Sequence, residues 1–173
     1  MQRLSILIII LFIFFSCSRK NDKQLFQEGI DAYGRKNFQA AIDNFQEIVD
    51  RFPAVAYAES SQYRIAVIYN NDLHEISNAV HAYQKFYSLF PSSPHAATAL
   101  FLTGFLFNNE MHQTDSAKAA YETFLQKYPR HPLAVSAKYE LETLGKDPGL
   151  LLKYQTAVTE NSKTEESKKS PRR

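Results

Sequence analysis

Apolar residues recur at steps of three and four along most of the chain, which is the spacing of an amphipathic helix. Between positions 38 and 52 they form one continuous stripe, made of Phe38, Ala41, Ile42, Phe45, Ile48, Val49 and Phe52. A helix with this pattern is apolar on one side only, so it must pack that side against a neighbouring element. The pattern therefore predicts an all-α protein built from packed amphipathic helices.

The helical pattern repeats with a period of 38 residues. Pro53, Pro91 and Pro129 keep this period, and each of them follows an aromatic residue. The same spacing relates four further sets of positions: Ala41, Ala79 and Ala117; Phe45, Tyr83 and Tyr121; Ile48, Phe86 and Phe124; Phe52, Phe90 and Tyr128. Self-similarity at a fixed period is typical of repeat proteins, in which every copy packs against the next.

Prolines mark the predicted helix boundaries. The residue before a proline is driven out of the α region, so each aromatic–proline pair predicts the end of a helix. Pro94 and Pro132 follow shortly afterwards, and proline is tolerated in the first turn of a helix, where its missing N–H has no partner. We therefore expect helix pairs over 22–52, 56–90 and 94–128, followed by a closing helix over 133–144.

Small residues recur where the two helices of one copy must approach each other. They are Gly29, Ala66 and Gly104 in the first helices and Ala41, Ala79 and Ala117 in the second. A leucine at Ala79 is expected to overpack this contact and to lower the free energy of unfolding by about 1–3 kcal/mol. The same change at Ala137, in the closing helix, is expected to cost less.

These residues resemble the tetratricopeptide repeat (TPR) over residues 22–145. The first copy fits the frame of that family without gaps, with its signature positions occupied by Gly29, Ala32, Ala41, Phe45 and Pro53. The later copies have 38 residues, whereas the TPR family has about 34. We assign the surplus to the segments from Pro53 to Ile65 and from Tyr69 to Ala79, which predicts a longer first helix in each later pair.

The junction Tyr-Pro-x-x-Pro-x-Ala is similar to that of envelope TPR proteins of Gram-negative bacteria. Two families come into question: BamD-type lipoproteins of outer-membrane protein assembly, and the TPR domain of YbgF/CpoB-type proteins of the Tol-Pal system. The resemblance implies an all-α, TPR-type helical-hairpin solenoid spanning 22–146. Its expected parts are three repeats at 22–53, 54–91 and 92–129 and a capping helix at 132–145. Lys138, Glu140 and Glu142 are expected on the polar outer face of that cap.

The N-terminus has a different composition. Arg3 is followed by a twelve-residue run from Leu4 to Phe15 that only Ser5 interrupts. As a helix this run is about 18 Å long, too short to span a bilayer core of about 30 Å. It is typical of a secretory signal peptide, which we place at residues 1–16.

Cys17 is the only cysteine of the chain, and it directly follows the apolar run. The arrangement resembles the lipobox of bacterial lipoproteins, which implies that Cys17 is lipidated and that 17–21 is a lipidated tether. Ser18, where an aspartate would favour retention in the inner membrane, implies an outer-membrane anchor facing the periplasm. The alternatives are an ordinary signal peptide with an incidental cysteine, or an uncleaved anchor.

The C-terminus carries the excess positive charge. The net charge is +2, and residues 161–173 contribute five basic and two acidic groups, so the rest of the chain is slightly acidic. A nucleic-acid partner is therefore not expected, because its binding face would be basic across the folded region. Residues 147–158 are predicted to form a short extra helix through Leu151, Tyr154 and Val158. Residues 159–173 have little to bury and are predicted to be a disordered basic tail.

No catalytic pattern is present in the sequence. The five histidines, His74, His81, His95, His112 and His131, lack the spacing of a metal site, and capping or solvated roles are expected for them. There is no glycine-rich phosphate loop and no nucleophilic serine in a strand–turn–helix context. We therefore expect a protein that is not an enzyme, with no cofactor, no metal and no small-molecule substrate.

The TPR resemblance implies that the first helix of each pair lines a concave, partner-binding groove. The implied groove positions are Phe26, Ile30, Tyr33, Tyr63, Val67, Asn70, Phe101, Phe105, Asn108 and Tyr139. Aromatic rings bordered by amides suit an extended peptide or a helix of a protein partner. The alternative is that the rings only pack between adjacent first helices.

The implied function is a lipid-anchored periplasmic adaptor that scaffolds outer-membrane protein assembly, as BamD-type proteins do. That family has more repeats than the three found here, and the YbgF/CpoB-type coordinator matches the repeat number better but has a coiled coil that this chain lacks. An accessory subunit of an envelope enzyme or of a secretion complex is the third reading.

Overall fold

The computed structural model describes residues 20–146, and each regular element in that range is helical. The helices are α1 (Asp22–Gly34), α2 (Phe38–Arg51), α3 (Ala56–Val67), α4 (Ile76–Leu89), α5 (Ala96–Asn109), α6 (Thr114–Lys127) and α7 (Ala134–Thr143). A π-helical turn, Ile68–Asp72, directly follows α3. This architecture confirms the predicted all-α fold of TPR type. The predicted signal peptide, Cys17, the extra helix at 147–158 and the basic tail lie outside the described residues.

The described chain divides into two compact units, of which the first ends at Ile68. Helices α1 and α2 pack as a hairpin, and α3 packs on α2 and also touches α1. Phe45 on α2 is fully buried, and Gly29 on α1 lies against its ring. A Cβ atom at Gly29 would lie 2.5 Å from the Phe45 ring, so only glycine permits this helix approach.

The second unit begins at Tyr69 and contains α4 to α7. Helix α5 packs against both α4 and α6, and α7 packs on α6. Tyr121 and Phe124 on α6 are fully buried in its core. A Cβ atom at Gly104 would lie 2.9 Å from the Tyr121 ring, which repeats the close approach of the first unit. Ala137 is as fully buried as Ala79.

The aromatic–proline pairs end the second helices as expected. Phe52, Phe90 and Tyr128 cap these helices with nearly the same backbone angles, φ −132°, −127° and −128° with ψ 51°, 56° and 51°. These angles lie outside the α region, as the steric demand of the following proline requires. The carbonyl group of each capping aromatic residue then accepts a hydrogen bond from the N–H three residues later, which turns the chain.

Pro94 and Pro132 do not lie in the first turn of a helix, contrary to expectation. The helices begin two residues later, at Ala96 and Ala134. At both junctions the side chain of the residue before the proline accepts a hydrogen bond within the turn that precedes the helix. The His95 N–H donates to Ser93 Oγ at 3.0 Å, and the Leu133 N–H donates to His131 Nδ1 at 3.2 Å.

The turn after each first helix contains a residue whose backbone lies in the left-handed region. Lys36, His74 and His112 have φ of 57°, 54° and 54°, and they follow the 38-residue period. The next N–H closes the turn by donating to a helix carbonyl group: Asn37 to Ala32 at 2.9 Å, Glu75 to Tyr69 at 2.8 Å and Gln113 to Phe107 at 2.8 Å. The later two turns enclose one residue more than the first.

The wider turn accounts for the extra residue between Tyr69 and Ala79. The predicted lengthening of the first helices is accordingly smaller than expected in the third pair, where α5 has 14 residues and α1 has 13. In the second pair the additional length is π-helical. The first helix is therefore longer in the second pair, as predicted, and hardly longer in the third.

The start of the described chain is fixed to the first unit. The side chain of Asn21 caps α1 by accepting a hydrogen bond from the Gln24 N–H at 2.9 Å. The guanidinium group of Arg51, at the end of α2, donates to the carbonyl oxygen of Lys20 at 3.1 Å. The Lys20 ammonium group also pairs with Glu28 on α1. The chain is thus held against the helices from Lys20 onward.

Candidate interaction surface

The predicted groove residues occupy the first helices of the pairs, and none of them is fully buried. Three of them are the most exposed large apolar residues of the set: Tyr33 at 37%, Phe105 at 37% and Tyr139 at 49%. The others are half-buried: Phe26, Ile30, Tyr63, Val67, Asn70, Phe101 and Asn108. The helices thus present this set partly to solvent and partly to neighbouring side chains.

In the first unit, Phe26 has a packing role. Its ring stacks on Tyr57 of α3, with centroids 4.6 Å apart and an interplanar angle of 28°. It also contacts the buried Phe45 ring at 5.7 Å, and the Arg64 guanidinium lies over it at 5.8 Å. Phe26 therefore joins two successive first helices, as the alternative reading of the groove rings expects.

The remaining groove positions of the first unit differ from each other in exposure. Tyr33 lies at the end of the hairpin, where its ring is 5.8 Å from that of Phe38. Tyr63 is half-buried on α3, and burial raises the pKa of its hydroxyl group. Of these two, Tyr33 is therefore the more accessible to a partner.

In the second unit, one predicted groove ring packs on the core and its neighbour on the same helix is exposed to solvent. Phe101 packs against two core rings of α6, Tyr121 at 5.7 Å and Phe124 at 6.0 Å. Phe105 lies one turn further along α5 and is 37% exposed. On α7, Tyr139 is about half exposed and Val135 is 78% exposed. Phe105 on α5 and Val135 and Tyr139 on α7 are thus the exposed apolar residues on these two helices of the second unit.

The two predicted border amides are engaged differently. Asn70 lies in the π-helical turn, and its Nδ2 donates to Asn71 Oδ1 at 2.7 Å. Asn108 Nδ2 on α5 donates to Glu140 Oε2 on α7 at 3.4 Å. Asn108 is therefore part of a contact between two successive first helices rather than a free border.

Sequence reasoning placed Glu140 on the outer face of the cap, and that placement is wrong. Lys138 and Glu142 are exposed, but Glu140 is half-buried beside Asn108. The hydroxyl group of Tyr121 is buried beside the carboxylate of Glu140. Burial is the main cause that raises the pKa of Tyr121, and the negative charge of Glu140 and a hydrogen bond with its side chain raise it further. We call this group of Asn108, Tyr121 and Glu140 the polar notch.

The sequence contained one signal for the notch. Tyr121 stands where the first copy has Phe45, so the buried ring gains a hydroxyl group that needs a polar neighbour. Finding that neighbour requires knowing how α7 lies on α6, which the repeat frame alone does not specify.

A shallow cavity lies on another side of the second unit. It has a volume of about 450 Å³ and lies among α4, α5 and α6. Its lining is mostly apolar and includes Tyr87, Leu100, Phe107 and Ala120. The sequence pattern did not predict it, because the gap depends on the spacing between packed helices.

A family model described as outer membrane lipoprotein (YfiO) matches residues 18–147. The match covers most of the chain and includes both units. No curated protein matches the sequence significantly. Between residues 20 and 146, no helix combines the length and the apolar character needed to cross a membrane. The chain belongs to the YfiO family of outer membrane lipoproteins, which is a BamD-type family of TPR proteins.

Proposed function

We propose that the protein is a non-catalytic adaptor that scaffolds the assembly of outer-membrane proteins from the periplasmic side. The observation that carries this proposal is the family match over residues 18–147 together with exposed apolar residues on the first helices. Adaptors of helical-hairpin type bind partners through side chains, and large apolar residues supply the buried area of such contacts.

The partner-binding surface is proposed to lie on the exposed members of the predicted groove. Phe105 and Tyr139 in the second unit and Tyr33 in the first combine ring area with solvent access. Aromatic residues that are accessible before binding and desolvated afterwards contribute most to a protein interface. The packed rings, such as Phe26, support the helices that carry this surface.

Attachment to the membrane is proposed to occur through a lipid on Cys17. The family match begins at Ser18, the residue that directly follows this cysteine. A thioether-linked glyceride with further acyl chains binds a bilayer firmly, because each buried CH₂ contributes about 0.8 kcal/mol. The adaptor would thereby be held at the periplasmic face of the outer membrane.

Photocrosslinking in living cells tests the partner class. A photoreactive amino acid is placed at Phe105, at Tyr33 or, as a control, at Lys118 on the solvent side of α6. We expect adducts with subunits of the barrel-assembly machinery at the first two positions and none at Lys118. Adducts with Tol-Pal components would instead indicate the YbgF/CpoB-type role. Adducts with a secretion complex would indicate an accessory subunit of that complex. No protein adduct at either position would contradict the proposed surface.

A further inference from the structure

Helix α7 is covered on fewer sides than α5, its counterpart in the preceding hairpin. Helix α5 packs against both α4 and α6, whereas α7 packs chiefly on α6. The 38-residue period aligns the two helices. Two pairs of equivalent positions are buried in both: Ala96 and Ala134, and Ala99 and Ala137. The side of α7 that faces the preceding second helix is therefore packed as it is in α5.

The side of α7 that would face a second helix of its own is exposed. We call it the open face of α7, and its residues are Val135, Lys138, Tyr139 and Glu142. Their counterparts on α5, 38 positions earlier, are Ala97, Leu100, Phe101 and Gly104. These counterparts pack toward α6: the Phe101 ring lies 5.7 Å from that of Tyr121, and Ala97 belongs to the same buried cluster. Val135 is 78% exposed, whereas Ala97 is only 3% exposed.

The chain after α7 begins the kind of turn that leads from a first helix to a second. Gly145 has a left-handed backbone with φ 69°, and the turns after the earlier first helices have such residues at Lys36, His74 and His112. Residues 110–113 separate α5 from α6, and the same number of residues, 144–147, separates the end of α7 from Pro148. Asp147 and Pro148 are favoured residues for the N-cap and the first position of a helix. The sequence thus predicts a second helix after a turn of the usual length.

The segment after Pro148 has the apolar pattern of α6. Gln113 is the N-cap of α6, and aligning it with Asp147 gives a shift of 34 residues, which is the standard TPR period. The buried residues of α6 are Ala117, Ala120, Tyr121 and Phe124. Their counterparts in the segment are Leu151, Tyr154, Gln155 and Val158. All of these except Gln155 supply apolar or aromatic area for a contact.

The one polar counterpart falls opposite a polar residue of α7. Gln155 takes the place of Tyr121, whose ring lies against Gly104, and the counterpart of Gly104 is Glu142. A side-chain amide can donate a hydrogen bond to a carboxylate. The segment and the open face of α7 therefore match both in their apolar positions and in this exception.

We propose that residues 148–158 pack on the open face of α7 as the second helix of a fourth hairpin. The apolar residues of the segment cover Val135 and Tyr139, the aliphatic stem of Lys138 packs beside them, and Gln155 pairs with Glu142. Tyr139 then keeps the partial exposure that Phe101 has on α5, so it still contributes to the proposed partner-binding surface. The inference does not depend on the proposed function, because it concerns only the end of the helix array.

Hydrogen–deuterium exchange of the full-length protein in detergent tests the fourth hairpin. A helix shorter than about 12 residues is marginal in water on its own, so its amide groups are protected only when it packs on the rest of the protein. We expect the amide groups of residues 151–158 to exchange at least about tenfold more slowly than those of the basic tail at 159–173.

Matched substitutions assign the protection to the open face. Val135→Asp and Ser136→Asp place the same charge at neighbouring exposed positions of α7, of which only Val135 belongs to the open face. Val135→Asp should raise the exchange rate of residues 151–158 to that of the tail, whereas Ser136→Asp should leave it low. Reciprocally, Leu151→Asp should speed exchange in α7, and Thr156→Asp, on the other side of the segment, should not. Unchanged protection of α2 to α6 establishes that each variant is folded.

Three results would overturn the fourth hairpin. The first is fast exchange of residues 151–158 in the unmodified protein. The second is slow exchange that persists in Val135→Asp, which would place the segment elsewhere, such as in the cavity among α4, α5 and α6. The third is protection that disappears on dilution, which would assign the open face to a second copy of the chain.

Discussion

At the residue scale, three glycines that share a helical context face different surroundings. Gly29 and Gly104 lie against the rings of Phe45 and Tyr121, whereas no atom lies within 4 Å of the position of a Cβ at Gly34. The close approach of two helices, rather than backbone freedom, therefore requires glycine at the first two positions. Gly34 ends α1 without such a constraint.

Gly104→Ala is expected to lower the free energy of unfolding by about 1–3 kcal/mol, because the new methyl group must displace the buried ring of Tyr121. Gly34→Ala is the matched control, and it should be neutral or slightly stabilising, since alanine favours the helix. Urea unfolding of both variants measures the difference. Equal stabilities of Gly104→Ala and the unmodified protein would show that the helices separate at little cost.

His112 is the opposite case, because its backbone conformation favours glycine but the residue is a histidine. Its left-handed backbone is disfavoured for a residue with a Cβ atom. His112→Gly should therefore raise the free energy of unfolding by about 0.5–1 kcal/mol, after the greater flexibility of glycine in the unfolded chain is deducted. Lys118→Gly, in the exposed interior of α6, should instead lower it by about 1 kcal/mol. A loss of stability in His112→Gly would mean that the imidazole makes a contact of its own.

At the element scale, helix ends differ in how far the sequence specifies them. The aromatic–proline pairs specify the ends of α2, α4 and α6, because the steric effect of proline acts on the adjacent residue alone. At the starts of α5 and α7, the side chains of Ser93 and His131 accept hydrogen bonds from the backbone two residues later, in a turn before each helix. The position of the prolines alone does not reveal these turns.

The left-handed turns were missed for a related reason. Glycine or asparagine is the usual signal for such a position, and Lys36, His74 and His112 give none. Their 38-residue spacing indicates a repeated turn only after the structure shows their left-handed backbone. The candidate surface was predictable as a set of helix positions, but the division between the packed Phe101 and the exposed Phe105 depends on neighbouring helices.

That division gives a prediction for α5. Phe105→Ala should leave the melting temperature nearly unchanged and weaken capture of the crosslinked partner. Phe101→Ala should lower the melting temperature clearly, because loss of a well-packed ring costs roughly 3–5 kcal/mol when it is fully buried and less when it is half-buried. Thermal unfolding and quantitative crosslinking from Tyr33 distinguish the two variants. A Phe105→Ala protein that unfolds early would show that this ring belongs to the core.

At the scale of the whole molecule, contacts within each unit join helices that are close in the chain. The main contacts link successive helices; α1 also meets α3 across an intervening helix in the first unit, and Asn108 on α5 donates a hydrogen bond to Glu140 on α7 in the second. Folds with such local contacts form quickly and do not depend on distant pairings. Each unit is therefore expected to acquire its hairpins without waiting for the complete chain.

The proposed lipid anchor at Cys17 would also act on the whole molecule. Cys17→Ala should abolish incorporation of a fatty-acid analogue and should release the protein from the membrane fraction or leave it unprocessed, because acylation needs the thiol. Metabolic labelling followed by fractionation measures both effects. An unlabelled wild-type protein would refute lipidation and favour an ordinary signal peptide or an uncleaved anchor.

Because Lys20 is bonded to Arg51 and Glu28, the segment between Cys17 and the helices is very short. Only residues 18 and 19 lie between Cys17, the proposed lipidation site, and Lys20, where the chain is bonded to α1 and α2, a reach of roughly 10 Å. A protein lipidated at Cys17 would diffuse in two dimensions instead of three, and membrane-embedded partners would meet it at an effective concentration in the millimolar range. Twenty glycine and serine residues inserted before Lys20 should lower that effective concentration and reduce crosslinking at Phe105 severalfold.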